Sequence, residues 1–323
     1  MYDWANSPFP TVVTTFIFGA YFTQAVATNP AEAEGQWGIT NGLAALGVAL
    51  LSPALGAIAD HSGARKPWLA VFTLVMIAAS ALLWFATPAP GSTLLLLSLV
   101  CIGTIGFELG MVFYNAMLPG LAPERYLGRV SGWAWGLGYF GGLTCLLVIL
   151  FGFVQADPAP FGLDKSQVEH IRITGPLIAA WMLLFSLPVF VFVPDRPATG
   201  VGAPDAVRQG LTMLWRTLKN ARDYPHTLRF LIAHMLYADG FNTLFAFGGI
   251  YAAGTFGMAL SEVIIFGIVL NVTAGLGAFA FGWMDARIGA KPTILISLAG
   301  IIAAGVPILL IDSVTWFWVL GAL

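Results

Sequence analysis

Charged residues are scarce in this sequence. Asp, Glu, Lys and Arg make up 9% of the 323 residues, whereas soluble domains carry roughly 25%. Hydrophobic residues make up 58%, and a soluble fold of this length keeps too much surface in water to hide that share. These numbers exclude a soluble globular domain, a disordered chain and a nucleic-acid-binding protein.

Cysteine and histidine are also rare. The two cysteines, Cys101 and Cys145, lie inside apolar runs, so we interpret them as small core residues and not as a disulfide. The four histidines are scattered, and the sequence predicts no metal site and no cofactor. It has no nucleophile elbow and no phosphate-binding loop, so we do not expect an enzyme.

Long apolar runs recur along the whole chain. A helical run of about 18 or more such residues can span the ~30 Å hydrocarbon core of a bilayer. Charges, prolines and glycines between the runs place ten helices, at about 4–27, 38–59, 67–86, 93–117, 130–153, 176–193, 228–253, 259–282, 292–311 and 315–323. The last is too short to cross a bilayer, so we expect the chain to end inside a helix. The predicted fold is an all-α, multi-pass membrane protein.

The basic residues indicate the orientation. Loops on the side of the N-terminus hold 12 of the 14 Lys and Arg residues, namely Arg65, Lys66, Arg125, Arg129, Arg196, Arg208, Arg216, Lys219, Arg222, Arg229, Arg287 and Lys291. Only Lys165 and Arg172 lie in the opposite loops. Because cytoplasmic loops are enriched in basic residues, a cytoplasmic N-terminus is predicted.

A polar segment, residues 194–227, divides the chain. Apolar and basic residues alternate at helical spacing near 205–222, which predicts an amphipathic helix lying on the cytoplasmic membrane surface. A basic helix that binds a partner protein is the alternative. The segment therefore separates a six-helix bundle at 1–193 from an incomplete bundle at 228–323.

A short basic turn occurs twice, after the second and the eighth helix. The copies read Gly56-Ala57-Ile58-Ala59-Asp60-His61-Ser62-Gly63-Ala64-Arg65-Lys66-Pro67 and Gly282-Trp283-Met284-Asp285-Ala286-Arg287-Ile288-Gly289-Ala290-Lys291-Pro292. Six helices, a linker and a repeated turn resemble the parallel halves of major facilitator superfamily transporters. The resemblance implies twelve helices, of which about 9.5 are present here.

The first copy has the residues of a conformational latch. Gly56 permits close helix contact, and Gly63 can turn the chain at positive φ. Asp60 can pair with Arg65, which precedes Lys66, or cap a neighbouring helix end. A positive topology signal is the alternative interpretation, and it is the one we favour for the second copy.

Four further segments are similar to one branch of that superfamily, which contains the autophagy-related vacuole effluxers and their bacterial relatives. They are Tyr2-Asp3-Trp4-Ala5-Asn6-Ser7, Phe113-Tyr114-Asn115-Ala116-Met117-Leu118-Pro119, residues 128–142 and Tyr237-Ala238-Asp239-Gly240-Phe241-Asn242-Thr243. For fungal members the resemblance implies export of amino acids from the vacuole. For this chain it implies an integral protein of the bacterial inner membrane.

Polar residues inside predicted spans are costly and therefore candidate functional residues. Asp239 lies ~15 Å into the seventh span, and Asn242 and Thr243 share its helix face. Asp3 and Asn6 repeat the same spacing in the first span, which is pseudo-equivalent to the seventh in this architecture.

Glu108 is a second deep acid, in the fourth span, with Asn115 on its face. A hydrogen bond to a neighbouring helix or snorkelling toward the cytoplasm is the alternative role for it. No Lys or Arg lies deep inside a predicted span, since Arg229 is at the start of the seventh, so the embedded groups favour protons or cationic solutes.

Together these patterns predict a secondary active transporter that moves a small organic solute by alternating access, with proton coupling and amino-acid efflux as the specific expectation. The alternatives are a transport-inactive sensor or scaffold and a non-functional truncated transporter. The expected partners are the solute, protons and membrane lipid, and no nucleic acid. The oligomeric state, for which a monomer is expected, and the substrate, direction and coupling ion are not determined by the sequence.

Overall fold

Apolar runs interrupted by proline, glycine and charge form helices in the computed structural model of the chain. The structure describes residues 1–27, 29–61, 63–197, 199–200, 202–220, 223–258 and 260–322. It leaves outside this description the side chains of residues 30, 31, 90, 203, 218, 242, 243, 245–247, 249, 250, 253, 254, 260, 261, 263 and 264. The described residues form helices and loops without any strand, which confirms the all-α prediction.

Helix 1 is irregular. It consists of α1 (Tyr2–Asn6), a π-helical segment (Phe9–Phe16), α2 (Phe18–Tyr21) and a second π-helical segment (Phe22–Val26). Pro8 and Pro10 have no backbone N–H to donate, which weakens the α-helical pattern at this point. The Thr14 hydroxyl instead donates to the carbonyl of Pro10 at 2.6 Å. π-helical segments within α-helices are frequent at functional sites.

The remaining helices follow in regular order. Before the polar segment they are α3 (Pro30–His61), α4 (Lys66–Leu82), α5 (Thr93–Met117), α6 (Leu127–Ile149), α7 (Glu169–Arg172) and α8 (Thr174–Phe192). The segment itself contains α9 (Ala203–Lys219), and after it come α10 (Pro225–Phe256), α11 (Leu260–Ile288), α12 (Ala290–Ile308) and α13 (Val314–Ala322).

Eight stretches of the described residues are long and apolar enough to cross a membrane. They are Tyr2–Val26, Glu32–His61, Lys66–Phe85, Thr93–Gly120, Glu124–Val154, Glu169–Phe192, Ile265–Ile288 and Ala290–Ile308. They correspond to eight of the ten predicted helices. The predicted seventh helix is α10, a continuous helix that is not among these eight.

The main hydrophobic core lies among the helices that precede the polar segment. There α4 packs between α5 and α8, α3 packs against α5, and helix 1 packs against α6 and α8. A smaller core of Ala252, Met258, Phe266 and Phe317 forms among the later helices. The amphipathic helix α9 packs against α3.

Glycines on two faces of α6 bring it close to different neighbours. A Cβ on Gly132 would lie 2.7 Å from the Ala278 carbonyl oxygen and 2.8 Å from Gly282 Cα, both on α11. On the other face, a Cβ on Gly141 would lie 2.6 Å from the Trp4 carbonyl oxygen of helix 1. Since ordinary contacts begin near 3.4 Å, both approaches require glycine. The α6–α11 contact joins the helices before and after the polar segment.

Candidate functional site

Asp3 is buried where helix 1 meets α5 and α6, with 4% of its surface exposed. Its carboxylate accepts a short hydrogen bond from the Tyr114 hydroxyl of α5. The Tyr114 ring packs on Tyr2 with the centroids 4.7 Å apart, and the Tyr2 hydroxyl hydrogen-bonds Thr73 Oγ1 at 2.8 Å. A buried carboxylate needs such a donor, because leaving it unpaired costs much of its hydration energy.

Asn6 lies one helical turn after Asp3 and is equally buried. Its side-chain amide donates to the thioether sulfur of Met111 at 3.1 Å. Met111 lies on α5, three residues after Glu108 and four before Asn115. The contact therefore joins the polar residues predicted on helix 1 to those predicted on α5.

Glu108 faces the groove between helix 1 and α3. Ile105, Glu108 and Met111 are three residues apart, so they lie ~60° apart around the α5 axis. Ile105 contacts α3, with its Cδ1 3.1 Å from where a Cβ on Gly47 would be. Met111 contacts helix 1. Glu108 is exposed between these two contacts.

Thr104 and Asn115 flank Glu108 on the same face of α5. The Thr104 hydroxyl is enclosed and has no hydrogen-bond partner among the described residues, whereas Asn115 is exposed. We call the region in which the buried Asp3 and Asn6 of helix 1 are joined through Met111 to the exposed Glu108 and Asn115 of α5 the polar groove. It contains four of the seven residues predicted for the substrate and proton pathway.

The predicted acid of the seventh span lies elsewhere. Asp239 is the fifteenth residue of α10 and its side chain is exposed. The helix α10 packs against α11. The side chains of Asn242 and Thr243 lie outside the described residues. The structure thus places the Asp239 group on a separate helix from the polar groove.

The first basic turn is held by an acid that was not among the predicted site residues. Asp195, after α8, accepts hydrogen bonds from the backbone N–H of Arg65 at 3.0 Å and of Lys66 at 3.0 Å. In return, Lys66 Nζ donates to the Phe190 carbonyl of α8 at 2.8 Å. An acid at the start of α4 and a cation at the end of α8 each complement a helix dipole.

Arg65 is buried beneath this turn. Its side chain donates to the carbonyls of Ala59, at 3.1 Å, and Ala116. Burial and the nearby Arg196 cation lower the pKa of Arg65 from its ordinary value, and Asp60 and Asp195 oppose that shift. Asp60 is exposed, and among the described residues it forms no ion pair with Arg65. The expected Asp60–Arg65 pair is therefore replaced by Asp195 bonded to the backbone.

The two glycines of this turn differ. Gly63 has a φ of 80°, and a Cβ on it would collide with the Pro197 carbonyl and lie 3.1 Å from the Thr199 nitrogen. A Cβ on Gly56 would meet nothing within 4 Å. The predicted positive φ of Gly63 is observed, whereas the described residues give Gly56 no close helix neighbour.

The second basic turn makes a contact that its interpretation as a topology signal did not anticipate. The carboxylate of Asp285, near the end of α11, lies against the Cα of Gly128 in the first turn of α6. Negative charge is favourable at a helix N-terminus. The feature of the sequence that pointed to Asp285 was its position in the second copy of the repeated basic turn.

The described helices have the arrangement of major facilitator transporters. The solved structure of the proton:xylose symporter XylE, bound to 6-bromo-6-deoxy-D-glucose, matches 99% of this chain and 76% of that chain with a TM-score of 0.70. The two sequences are 15% identical, so this likeness concerns the fold. The chain thus has the fold of that transporter structure, with eight described stretches that can cross a membrane.

Sequence comparison identifies the family. The model of the vacuole effluxer Atg22-like family matches residues 36–127 and 124–309, and the chain belongs to this family. An uncharacterized MFS-type transporter, YxiO of Bacillus subtilis (strain 168), is 29% identical over 100% of this chain and 75% of its own length. Autophagy-related protein 22 of Coccidioides immitis (strain RS) is 22% identical over 74% of this chain and 48% of its own length.

These findings confirm the resemblance recognised in the sequence. They also confirm that the chain is of a transporter class and not an enzyme. The chain spans three quarters of the Bacillus relative and about half of the Coccidioides relative.

Proposed function

We propose that this protein moves a small organic solute across the bilayer by alternating access, and that the polar groove binds the solute. The observation that carries the proposal is the hydrogen bond from the Asn6 amide to Met111. It places Asp3 and Asn6 of helix 1 beside the part of α5 that bears Glu108 and Asn115. The groove presents an exposed carboxylate, Glu108, and an exposed amide, Asn115, as recognition of a polar solute requires. Amino acids of net cationic or neutral charge fit these groups best, and efflux is the proposed direction.

Proton coupling is the second part of the proposal. Glu108 and Asp239 are carboxylates carried by the predicted fourth and seventh spans. Such a group can take up a proton when its surroundings close and release it when they open to water. The glycine contact between α6 and α11 is the surface at which the two sets of helices separate or close.

Transport of a panel of radiolabelled amino acids into proteoliposomes tests the proposal. With a pH gradient imposed, the protein should accumulate at least one of them. Glu108→Gln should lower the uptake rate roughly 10- to 100-fold, as expected for the loss of a charged hydrogen-bonding group. Asp239→Asn should abolish accumulation against a gradient while sparing downhill exchange.

A matched control is Asp312→Asn, which changes an exposed acid in the loop before α13. It should leave transport unchanged. If Asp239→Asn still accumulates solute uphill, then Asp239 is not the coupling residue and Glu108 becomes the candidate. A protein that binds a solute without moving it would instead support the sensor or scaffold alternative.

A further inference from the structure

The helix α9 presents three different surfaces around its axis. Ala206 is fully buried against α3. One turn later, a Cβ on Gly210 would lie 3.0 Å from Ala57 Cα of α3. Ala57 lies four residues before the end of α3, or ~6 Å along its axis. This contact places α9 at the end of a membrane-spanning helix, near the height of the bilayer surface.

Beside the α3 contact runs an apolar strip that the protein does not cover. It consists of Leu214, Leu211 and Trp215, whose side chains are 41%, 43% and 70% exposed. At ~100° per residue they lie about 80°, 140° and 180° around the axis from Ala206. Unlike a single exposed leucine, three neighbouring apolar side chains, one of them tryptophan, indicate a surface that contacts something apolar.

Basic residues border the strip on the side away from α3. Arg208 and Lys219 lie about 200° and 220° around the axis from Ala206, and both are exposed. The remaining face carries the exposed polar or charged residues Thr212, Asp205, Arg216 and Gln209, and the exposed Met213 lies between them and the α3 contact. The order around α9 is therefore protein contact, apolar strip, cations and water-facing polar residues.

We propose that this surface of α9 binds anionic phospholipid of the bilayer that the protein spans. The apolar strip enters the boundary between headgroups and acyl chains, and Arg208 and Lys219 contact the lipid phosphates. Two observations select a bilayer as the partner. The strip continues from a contact with a membrane-spanning helix, and its cations lie along its outer edge, where headgroup phosphates are found.

Spin-label accessibility in the intact protein tests the proposal. Cys101 and Cys145 are first replaced by alanine, and a label is introduced at Leu214→Cys or, as the matched control on the polar face, at Gln209→Cys. Each protein is reconstituted in phosphatidylcholine liposomes with and without phosphatidylglycerol. Collisions with oxygen, which concentrates in lipid, and with a water-soluble nickel chelate then report the depth of the label.

With phosphatidylglycerol present, the Leu214 label should be accessible to oxygen and protected from nickel, at a depth of roughly 5–10 Å. The Gln209 label should be accessible to nickel. Adding Arg208→Gln and Lys219→Gln should move the Leu214 label outward in phosphatidylglycerol liposomes to the depth measured in phosphatidylcholine alone.

Three outcomes would overturn the proposal. Nickel access to the Leu214 label in both kinds of liposome would mean that the strip faces water. Protection from both nickel and oxygen would mean that protein covers it. An equal depth in both kinds of liposome, unaffected by the charge substitutions, would mean that the contact does not recognise anionic lipid.

Discussion

Replacing Gly132 by alanine should weaken the contact between α6 and α11. The added methyl would lie 2.7 Å from the Ala278 carbonyl oxygen, whereas an ordinary contact begins at 3.4 Å. The two helices must therefore move apart by 3.4 − 2.7 = 0.7 Å. Because both facing groups, Ala278 O and Gly282 Cα, belong to the backbone, no side-chain rotation can relieve the overlap.

The cost follows from close packing. Inserting one methyl group into a well-packed region costs about 1–3 kcal/mol, which corresponds to a factor of roughly 5 to 150 in an equilibrium constant. The penalty applies only to the conformation in which α6 and α11 are in contact. The substitution should therefore shift the population toward conformations in which the two sets of helices are separated at the basic-loop end.

Distances between two spin labels measure this shift. Labels at Glu124→Cys and Ala290→Cys occupy exposed positions beside the start of α6 and the end of α11. In the protein with Cys101 and Cys145 replaced, Gly132→Ala should increase the share of the longer distance. Gly277→Ala is the control, because a Cβ there meets nothing within 4 Å.

An unchanged distance distribution for Gly132→Ala would refute the reasoning, since the backbone overlap would then have been absorbed without separation. The same shift in Gly277→Ala would also refute it, because the effect would come from helix propensity and not from contact with α6.

Three further substitutions test the described contacts through thermal unfolding in detergent. Asp195→Asn should cost about 1–2 kcal/mol, because the start of α4 loses a charged acceptor; a midpoint equal to that of Asp312→Asn would contradict this. Tyr114→Phe should cost about 1–3 kcal/mol by leaving the buried acid of helix 1 without its donor, and an unchanged midpoint would mean that this bond is dispensable. Gly63→Ala should cost at least ~1 kcal/mol because of its positive φ, whereas Gly56→Ala should have no such effect.

Most of the helices and the family could be predicted from the amino-acid sequence alone. Apolar runs predict helices because a backbone in hydrocarbon must satisfy its hydrogen bonds locally. The turn at Gly63 could also be predicted from the local sequence, since only glycine adopts a positive φ without strain. The Asp3-to-Ser7 and fifth-span segments carried the family resemblance, because residue identity can be recognised without coordinates.

The partners of the polar residues, by contrast, are visible only in the folded chain. Asp195 bonds a turn 130 positions earlier, and Tyr114 bonds an acid 111 positions away. No periodicity in the sequence relates such positions, because they meet only when separate helices pack. The Asp60–Arg65 expectation differed from the structure for this reason. Asp60 is the acid nearest to Arg65 in the sequence, whereas in the folded protein the Arg65 side chain donates to backbone carbonyls and its backbone N–H donates to Asp195. Similarly, Asp285 contacts α6 only in the folded protein. There α6 and α11 approach so closely that a Cβ on the glycines between them would overlap the facing backbone.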